Sequence, residues 1–385
     1  MTPERVPEPP APEPPTAEPP TAEPPTAEPP TAEPLGPEPP APEPLGPEPP
    51  APEPLGPEPL GPDSLTWQYF GDWRALLLAP WAGSMQNMHP GLGAGVAEHS
   101  RFFEERWERL FRSLYPIGGV VYDGPRAAET ARTVRGYHDT IKGVDRHGRP
   151  YHALDPDTFY WAHATFFVLT LHVADYFGGG LTEAQRRQLF DEHVRWYRLY
   201  GMSMRPVPAD WEGFQKYWDH MCADVLEDNE PTRQVLDLRR VAKPPALRRL
   251  PDPLWALARV PLSRVGVWMT VGMYPEAVRR RLGYSWSATD ARLLRALGAV
   301  VHHAWRLVPR ERRFHPRARA GWRRAAGLRA AGAAHVETPD RNLPPPDERD
   351  SPQHYSPHSP HSPHSPPPAG ERDTGDRDTP ERPGG

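Results

Sequence analysis

Residues 160–169 read Tyr160-Trp161-Ala162-His163-Ala164-Thr165-Phe166-Phe167-Val168-Leu169, a run that is apolar on almost every side of a helix except at His163. The pattern lacks the alternation of a half-buried strand, and a helix this greasy all round has to sit at the centre of a core. Asp155 or Asp157 supplies a start signal, since a carboxylate there accepts from the first free backbone N–H groups. The helix then runs to about Phe177, where Gly178-Gly179-Gly180 breaks it. A buried helix needs helical partners, and the expected class is all-α.

Partners are legible on both sides. Downstream, Thr182 to Leu199 forms the next helix, with Thr182 and Gln185 spaced as a capping box. Later helices are expected around Glu212 to Val225, Pro253 to Tyr274 and Thr289 to Leu307. Upstream, Trp67 to Pro80 reads as a first helix. A Gly-rich turn around Pro90 to Gly95 follows, then a helix from about Val96 through Tyr115 carrying Arg101, Arg106 and Arg109. From Pro125 the apolar positions Ala127, Ala131, Val134, His138 and Ile141 recur at helical spacing, with Gly143 as a C-cap. Asp145 to Pro150 is a polar loop leading back to the central helix.

The helical region stops where composition changes. Residues 1–62 are Pro-Thr-Ala-Glu-Pro and Pro-Glu-Pro-Leu-Gly units, and residues 336–385 are rich in Pro, Ser, His, Asp, Glu and Arg, with a Ser-Pro-His repeat from Ser356. Neither segment has the apolar side chains to offset the entropy of ordering, so both are expected to be disordered tails. That leaves residues 63–335 as one large helical domain. The tails carry net charges of −11 and −5 against −5 for the whole chain, which leaves the domain at about +11. Acidic tails beside a basic domain serve as solubilising spacers or as a mask over it.

Cys222 is the only cysteine, which excludes an intramolecular disulfide, a cysteine-based zinc knuckle and an iron–sulfur cluster. The start, Met1-Thr2-Pro3-Glu4-Arg5, lacks the basic and apolar segments of a secretory signal, and a cytoplasmic protein is expected. The most apolar long stretch, Pro253 to Tyr274, is interrupted by Arg259 and Arg264; it reads as a buried or membrane-touching helix and admits peripheral membrane contact. The nine arginines between Arg306 and Arg329 are interleaved with only Phe314 and Trp322, so a basic, partly frayed helix is expected and no nucleic-acid partner. Gly91-Leu92-Gly93-Ala94-Gly95 has no phosphate-loop spacing, and its glycines read as turn residues.

Chemistry concentrates at two places. His163, a single imidazole in apolar surroundings, is either a core histidine satisfied by a backbone bond or one axial ligand to a metal, the latter being all that haem iron requires on its proximal side. His172, nine residues on, falls on the opposite helix face and makes no metal pair with it. On the helix from Pro125, Thr130, Thr133, Tyr137 and Thr140 stack at spacings of three and four beside Arg126, a hydroxyl stripe that either faces solvent or, with Arg132, hydrogen-bonds an iron-bound oxygen species or a haem propionate. His138 is a core histidine or a second group aimed at the same pocket.

The successive segments Met88-His89-Pro90-Gly91-Leu92-Gly93-Ala94-Gly95-Val96, Glu98-His99-Ser100, Thr133-Val134-Arg135-Gly136-Tyr137-His138-Asp139-Thr140-Ile141-Lys142-Gly143, Tyr151-His152-Ala153-Leu154-Asp155-Pro156 and Trp161-Ala162-His163-Ala164 resemble the catalytic domain of the mpaB-type oxygenases and latex-clearing proteins (rubber oxygenases). Met273-Tyr274-Pro275-Glu276-Ala277-Val278-Arg279-Arg280-Arg281-Leu282-Gly283 is similar to the family's later part. The resemblance covers about Trp67 to Trp322. It implies an all-α, distantly globin-like fold with haem b, and places His163, in the Trp-x-His position, as the proximal iron ligand.

It also implies a distal basic residue followed by Thr. Arg132-Thr133 stand at that spacing, although the latex-clearing members carry Lys at the first position and Arg one turn earlier, where this chain has Glu129. The expected site is therefore Arg132, Thr133 and His138 for catalysis and His163, Trp161, Arg126 and Tyr137 for haem. No motif selects a catalytic carboxylate among Glu104, Glu105 and Glu108. The expected activity is oxidative attack on, or cleavage of, a C=C bond in an apolar, isoprenoid-like small molecule by dioxygen. The rival expectations are a haem protein of the same fold with a biosynthetic or sensing role, and an interaction protein whose tails matter most. The oligomeric state is not legible.

Overall fold

Asp155 begins the central helix as anticipated: its backbone is extended and its carboxylate accepts from the N–H groups of Asp157 and Thr158, while Pro156 takes the first helical position. Helix α6, Pro156–His172, follows, and Val173–Phe177 continues it as a π-turn up to the glycines. Twelve of its 17 residues are buried, among them Tyr160, Trp161, His163 and Phe167. The computed structural model describes residues 57–100, 105–330 and 332–344. The expected tails lie outside these apart from 57–62 and 336–344, where Leu60 and Asn342 are buried.

The elements before α6 show where periodicity alone misplaces boundaries. The expected first helix is three pieces: α1 (Leu65–Tyr69), a 3₁₀ segment from Trp73 to Leu78, and α2 (Ala79–Asn87). Gly71 marks the break because no side chain fits there; a Cβ would lie 2.5 Å from that of Ala318 and 2.7 Å from the Tyr122 hydroxyl, which accepts from the Gly71 N–H. The expected Gly-rich turn is helix α3 (Pro90–His99). Its glycines serve close approach, since a Cβ on Gly93 would overlap the Asn87 carbonyl oxygen and meet the Asn229 amide at 2.8 Å. The helix expected from Val96 to Tyr115 therefore divides, with α4 at Arg106–Tyr122.

Helix α5 (Ala127–Gly136) ends seven residues before Gly143. Gly143 lies in strand β1 (Lys142–Val144), paired antiparallel with β2 (Pro150–His152) so that Gly143 faces Tyr151. It is a glycine because a Cβ would come within 2.8 Å of the Tyr151 hydroxyl and the Glu98 carboxylate.

After α6 come α7 (Glu183–Arg198), opened by the anticipated Thr182–Gln185 capping box, and α8 (Trp211–His220). The short α9 (Glu230–Leu236), α10 (Asp252–Met273) and α11 (Glu276–Arg281) follow. Helices α12 (Ala288–Trp305) and α13 (Pro316–Ala325) complete thirteen α-helices among the described residues, and the fold is all-α apart from one two-stranded hairpin.

Helix α6 packs against α2, α3 and α7; α4 packs against α5 and α13. Polar atoms of the aromatic core are satisfied across these joints: Trp161 Nε1 donates to the Met85 carbonyl at 3.0 Å and Trp67 Nε1 to that of Val121 at 2.9 Å. Buried Glu192 of α7 accepts from the backbone N–H of Leu65 and Thr66 at 3.0 and 2.8 Å, placing negative charge on the first turn of α1. Helix α13 corrects the reading of the arginine-rich stretch. It buries Arg317, Ala318, Ala320 and Gly321 instead of fraying, because the Arg317 guanidinium makes a two-pronged pair with buried Asp123 at the end of α4.

Candidate functional site

Helices α5 and α6 turn one face each toward a shared cavity of about 990 Å³, the upper end of the roughly 300–1,000 Å³ that holds organic ligands. From α6 the wall takes Thr158, Phe159, Ala162, His163, Phe166 and Leu169. From α5 and its continuation it takes Thr130, Thr133, Val134, Tyr137, His138 and Ile141. The hydroxyl stripe and the apolar stripe of α5 are thus neighbours on one arc of the helix, and His138 and His163 line one space. Phe70, Leu92, Ile117 and Leu110 extend the wall, which is mostly apolar.

His163 is 2% exposed. Its Nε2 lies 3.1 Å from the backbone oxygen of His193. A carbonyl only accepts, so Nε2 carries the proton and donates. Burial pushes the His163 pKa down to about 3, opposed by that backbone bond, and the ring is neutral. A neutral imidazole with its proton on Nε2 carries a bare lone pair on Nδ1, and Nδ1 is buried with no hydrogen-bond partner. One nitrogen fixed by a backbone carbonyl and the other an unsatisfied donor of electrons is the state a metal-ligating histidine adopts.

The rings around His163 come from α7 and its end rather than from its sequence neighbours. His193 stacks on it at 4.3 Å, Trp196 meets it edge-on at 4.7 Å, and Tyr197 and Tyr200 lie at 5.1 and 5.7 Å. Burial drives the His193 pKa well below its ordinary value, with the neighbouring His163 adding to the effect, so both rings are neutral. These four residues were missed in the sequence. Their spacing of three, four and seven along an otherwise charged helix was the available signal.

In the turn just after α5, His138 Nδ1 lies 2.9 Å from the Val134 carbonyl; burial lowers the His138 pKa, and that bond partly restores it. Thr133 Oγ1 donates to the Glu129 carbonyl at 3.2 Å, and Thr130 Oγ1 donates to Asp123 at 2.7 Å, beside Arg317. Tyr137 lines the cavity, with burial raising its pKa.

Other expected residues stand elsewhere. Trp161 is wholly buried, stacked on Trp218 at 4.9 Å, and is not part of the cavity wall. Arg126 pairs with Glu129 at 2.9 Å near the surface, and Arg132 is exposed; neither is part of the wall. Glu105 pairs with Arg112 at 2.8 Å, and neither Glu105 nor Glu108 lines the cavity, whereas Glu129 and Glu337 do. Glu104 lies outside the described residues.

Haem b fits what is present: a large, mostly apolar space, a neutral imidazole with an orphaned nitrogen in its wall, and a second imidazole across α5. Among the described residues no three His, Cys, Asp or Glu side chains converge, so the wall offers a metal single ligands. The family model described as ER-bound oxygenase mpaB/B'/rubber oxygenase, catalytic domain, matches residues 67–303. No curated protein and no solved structure matches.

Proposed function

Because the chain belongs to the mpaB/B' and rubber oxygenase catalytic-domain family, an oxygenase family, we propose that it is a haem b-dependent oxygenase acting with dioxygen on the C=C bond of an apolar, isoprenoid-like molecule. The observation that carries this reading is the unpartnered, buried Nδ1 of His163, a residue that lines a large apolar cavity. When bound, haem b supplies the dioxygen activation and redox chemistry that no side chain of the cavity can perform.

The chain's own part is positioning. His163 offers iron a lone pair that burial keeps unprotonated, and the His193 carbonyl, by accepting from Nε2, fixes the ring's tautomer and orientation. Phe159, Phe166 and Leu169 exclude water and give an apolar substrate a surface to bury. His138 is held neutral by burial and oriented by Val134, which sets an uncharged imidazole of fixed orientation in the same wall. Tyr137 adds a hydroxyl to the same wall, and Thr133 a hydroxyl already tied to its own helix.

The test is oxygen consumption by the haem-loaded full chain with a series of terpenoid alkenes, with and without reductant, and mass analysis of product made under isotopically labelled dioxygen. The proposal predicts uptake and labelled carbonyl or oxygenated product. His138→Ala should retain haem and lose roughly 10²-fold or more in rate. No oxygen consumption with any alkene in either iron state would overturn it.

A further inference from the structure

The cavity reaches the surface at a place with unusual chemistry. Its wall includes Pro245, Ala246 and Leu247 and, from the first half of α10, Trp255, Arg259, Leu262 and Ser263; Leu247, Arg259 and Leu262 are exposed. On α10, Leu254, Leu257, Pro261 and Val265 recur at spacings of three, four and four, which puts them on one helix face. That face is turned to water: Leu257 is 75% exposed, Leu254 51% and Val265 49%, and Leu262, on the flank toward the cavity, is 54% exposed. Apolar side chains contiguous on an exposed helix face mark a contact surface.

Charge selects the partner. Residues 238–265 hold seven Arg or Lys against one acid, Asp252, which Lys243 engages at 2.5 Å. Arg239 and Arg240 share Asp237. Arg248, Arg249, Arg259 and Arg264 are exposed with no carboxylate within ion-pair reach among the described residues. Leucines flanked by unpaired arginines match a bilayer with anionic headgroups, which receives the leucines among its acyl chains and the guanidinium groups among its phosphates. Among the described residues no helix is long and apolar enough to cross a membrane, so the contact would be made in the plane of the surface.

The geometry points to a membrane-docking face: the first half of α10 and the segment before it seat the cavity mouth on an anionic phospholipid surface. The further consequence, that an apolar substrate enters from the lipid without crossing water, rests on the function proposed above; the docking itself does not.

The test is co-sedimentation of the full chain with vesicles of phosphatidylcholine alone and of equal parts phosphatidylcholine and phosphatidylglycerol. Binding to the anionic vesicles only, weakening as salt rises, is expected. Joint Arg248→Ala and Arg249→Ala substitution should weaken it on the order of twenty-fold, taking each surface charge at about fivefold. Leu254→Ser, Leu257→Ser and Val265→Ser together should abolish it with helicity and haem uptake unchanged. Arg146→Ala with Arg198→Ala, an equal charge change on exposed residues of other segments, should leave it intact. Equal loss from both arginine pairs, no binding to anionic vesicles, or a chain that self-associates through the leucines while ignoring lipid would each overturn the assignment. Because vesicle binding is read without turnover, its failure is separable from failure of the oxygenase reading.

Discussion

His163 draws its chemistry from burial. An exposed histidine loses metal affinity as pH falls below about 6.5, because protons compete for the lone pair. With the pKa of His163 held at about 3, that competition is displaced to the far acid side. Haem affinity of the folded chain should therefore be flat from about pH 8 down to about pH 5.5, measured by absorbance titration; a tenfold loss per unit below 6.5 would show that the ligand is an exposed ring. The candidate ligand itself was legible, since one polar residue in a greasy helix stands out. Its surroundings were not, because His193, Trp196, Tyr197 and Tyr200 approach from a helix about 30 residues later, and nothing local to His163 announces them. Arg126 and Arg132 do not line the cavity for other reasons: Arg132 falls on the helix face opposite the wall residues, and Arg126 lies in the 3₁₀ turn that precedes α5 and is held there by Glu129.

Long periodic segments were legible as elements, and α6, α7, α8, α10 and α12 stand close to where their caps and spacings put them. The glycines of α3 and Gly143 were misread because local sequence shows that a glycine is present but not which distant atom requires it. Helix α13 makes the same point through charge. Arg317 and Asp123 are 194 residues apart, and each is about 4% exposed at the side chain. Removing one partner strands the other charge in the core, so Asp123→Ala should cost about 3–5 kcal/mol in urea unfolding. Asp123→Ala combined with Arg317→Met should recover much of that, since the desolvation penalty goes with the charges. Gly119→Ala should destabilise as well, because a Cβ there would overlap the Arg317 guanidinium. Wild-type stability in Asp123→Ala would show that the pair does not anchor α13 to α4.

At the scale of the whole molecule, the partition of charge and of apolar residues delimits 63–335 as the expected domain, and the described residues run a little beyond both borders, to Pro57 and Pro344. The helical region also stores a pH dependence. His163 and His315 are lowered to about 3 by burial and His193 is lowered well below its ordinary value. Below about pH 6.5 the unfolded chain takes up protons that the folded chain refuses, so stability is fully present above that pH and is lost as pH falls toward the folded values. Each such group contributes at most about 1.4 kcal/mol per pH unit, and three together up to roughly 4. The urea midpoint should hold between about pH 8 and 7 and drop steeply between about pH 6 and 5; a flat profile would mean that these rings are protonated without unfolding.

The function proposed here depends on haem iron entering the cavity and meeting His163. Titration of haemin into the purified full chain, followed by Soret absorbance and a thermal shift, tests this directly. The account predicts saturation at one haem per chain with a higher melting temperature, and loss of both signals in His163→Ala, whose unliganded helicity should match the parent chain. Equal haem binding by His163→Ala, or none by the parent chain, would contradict it.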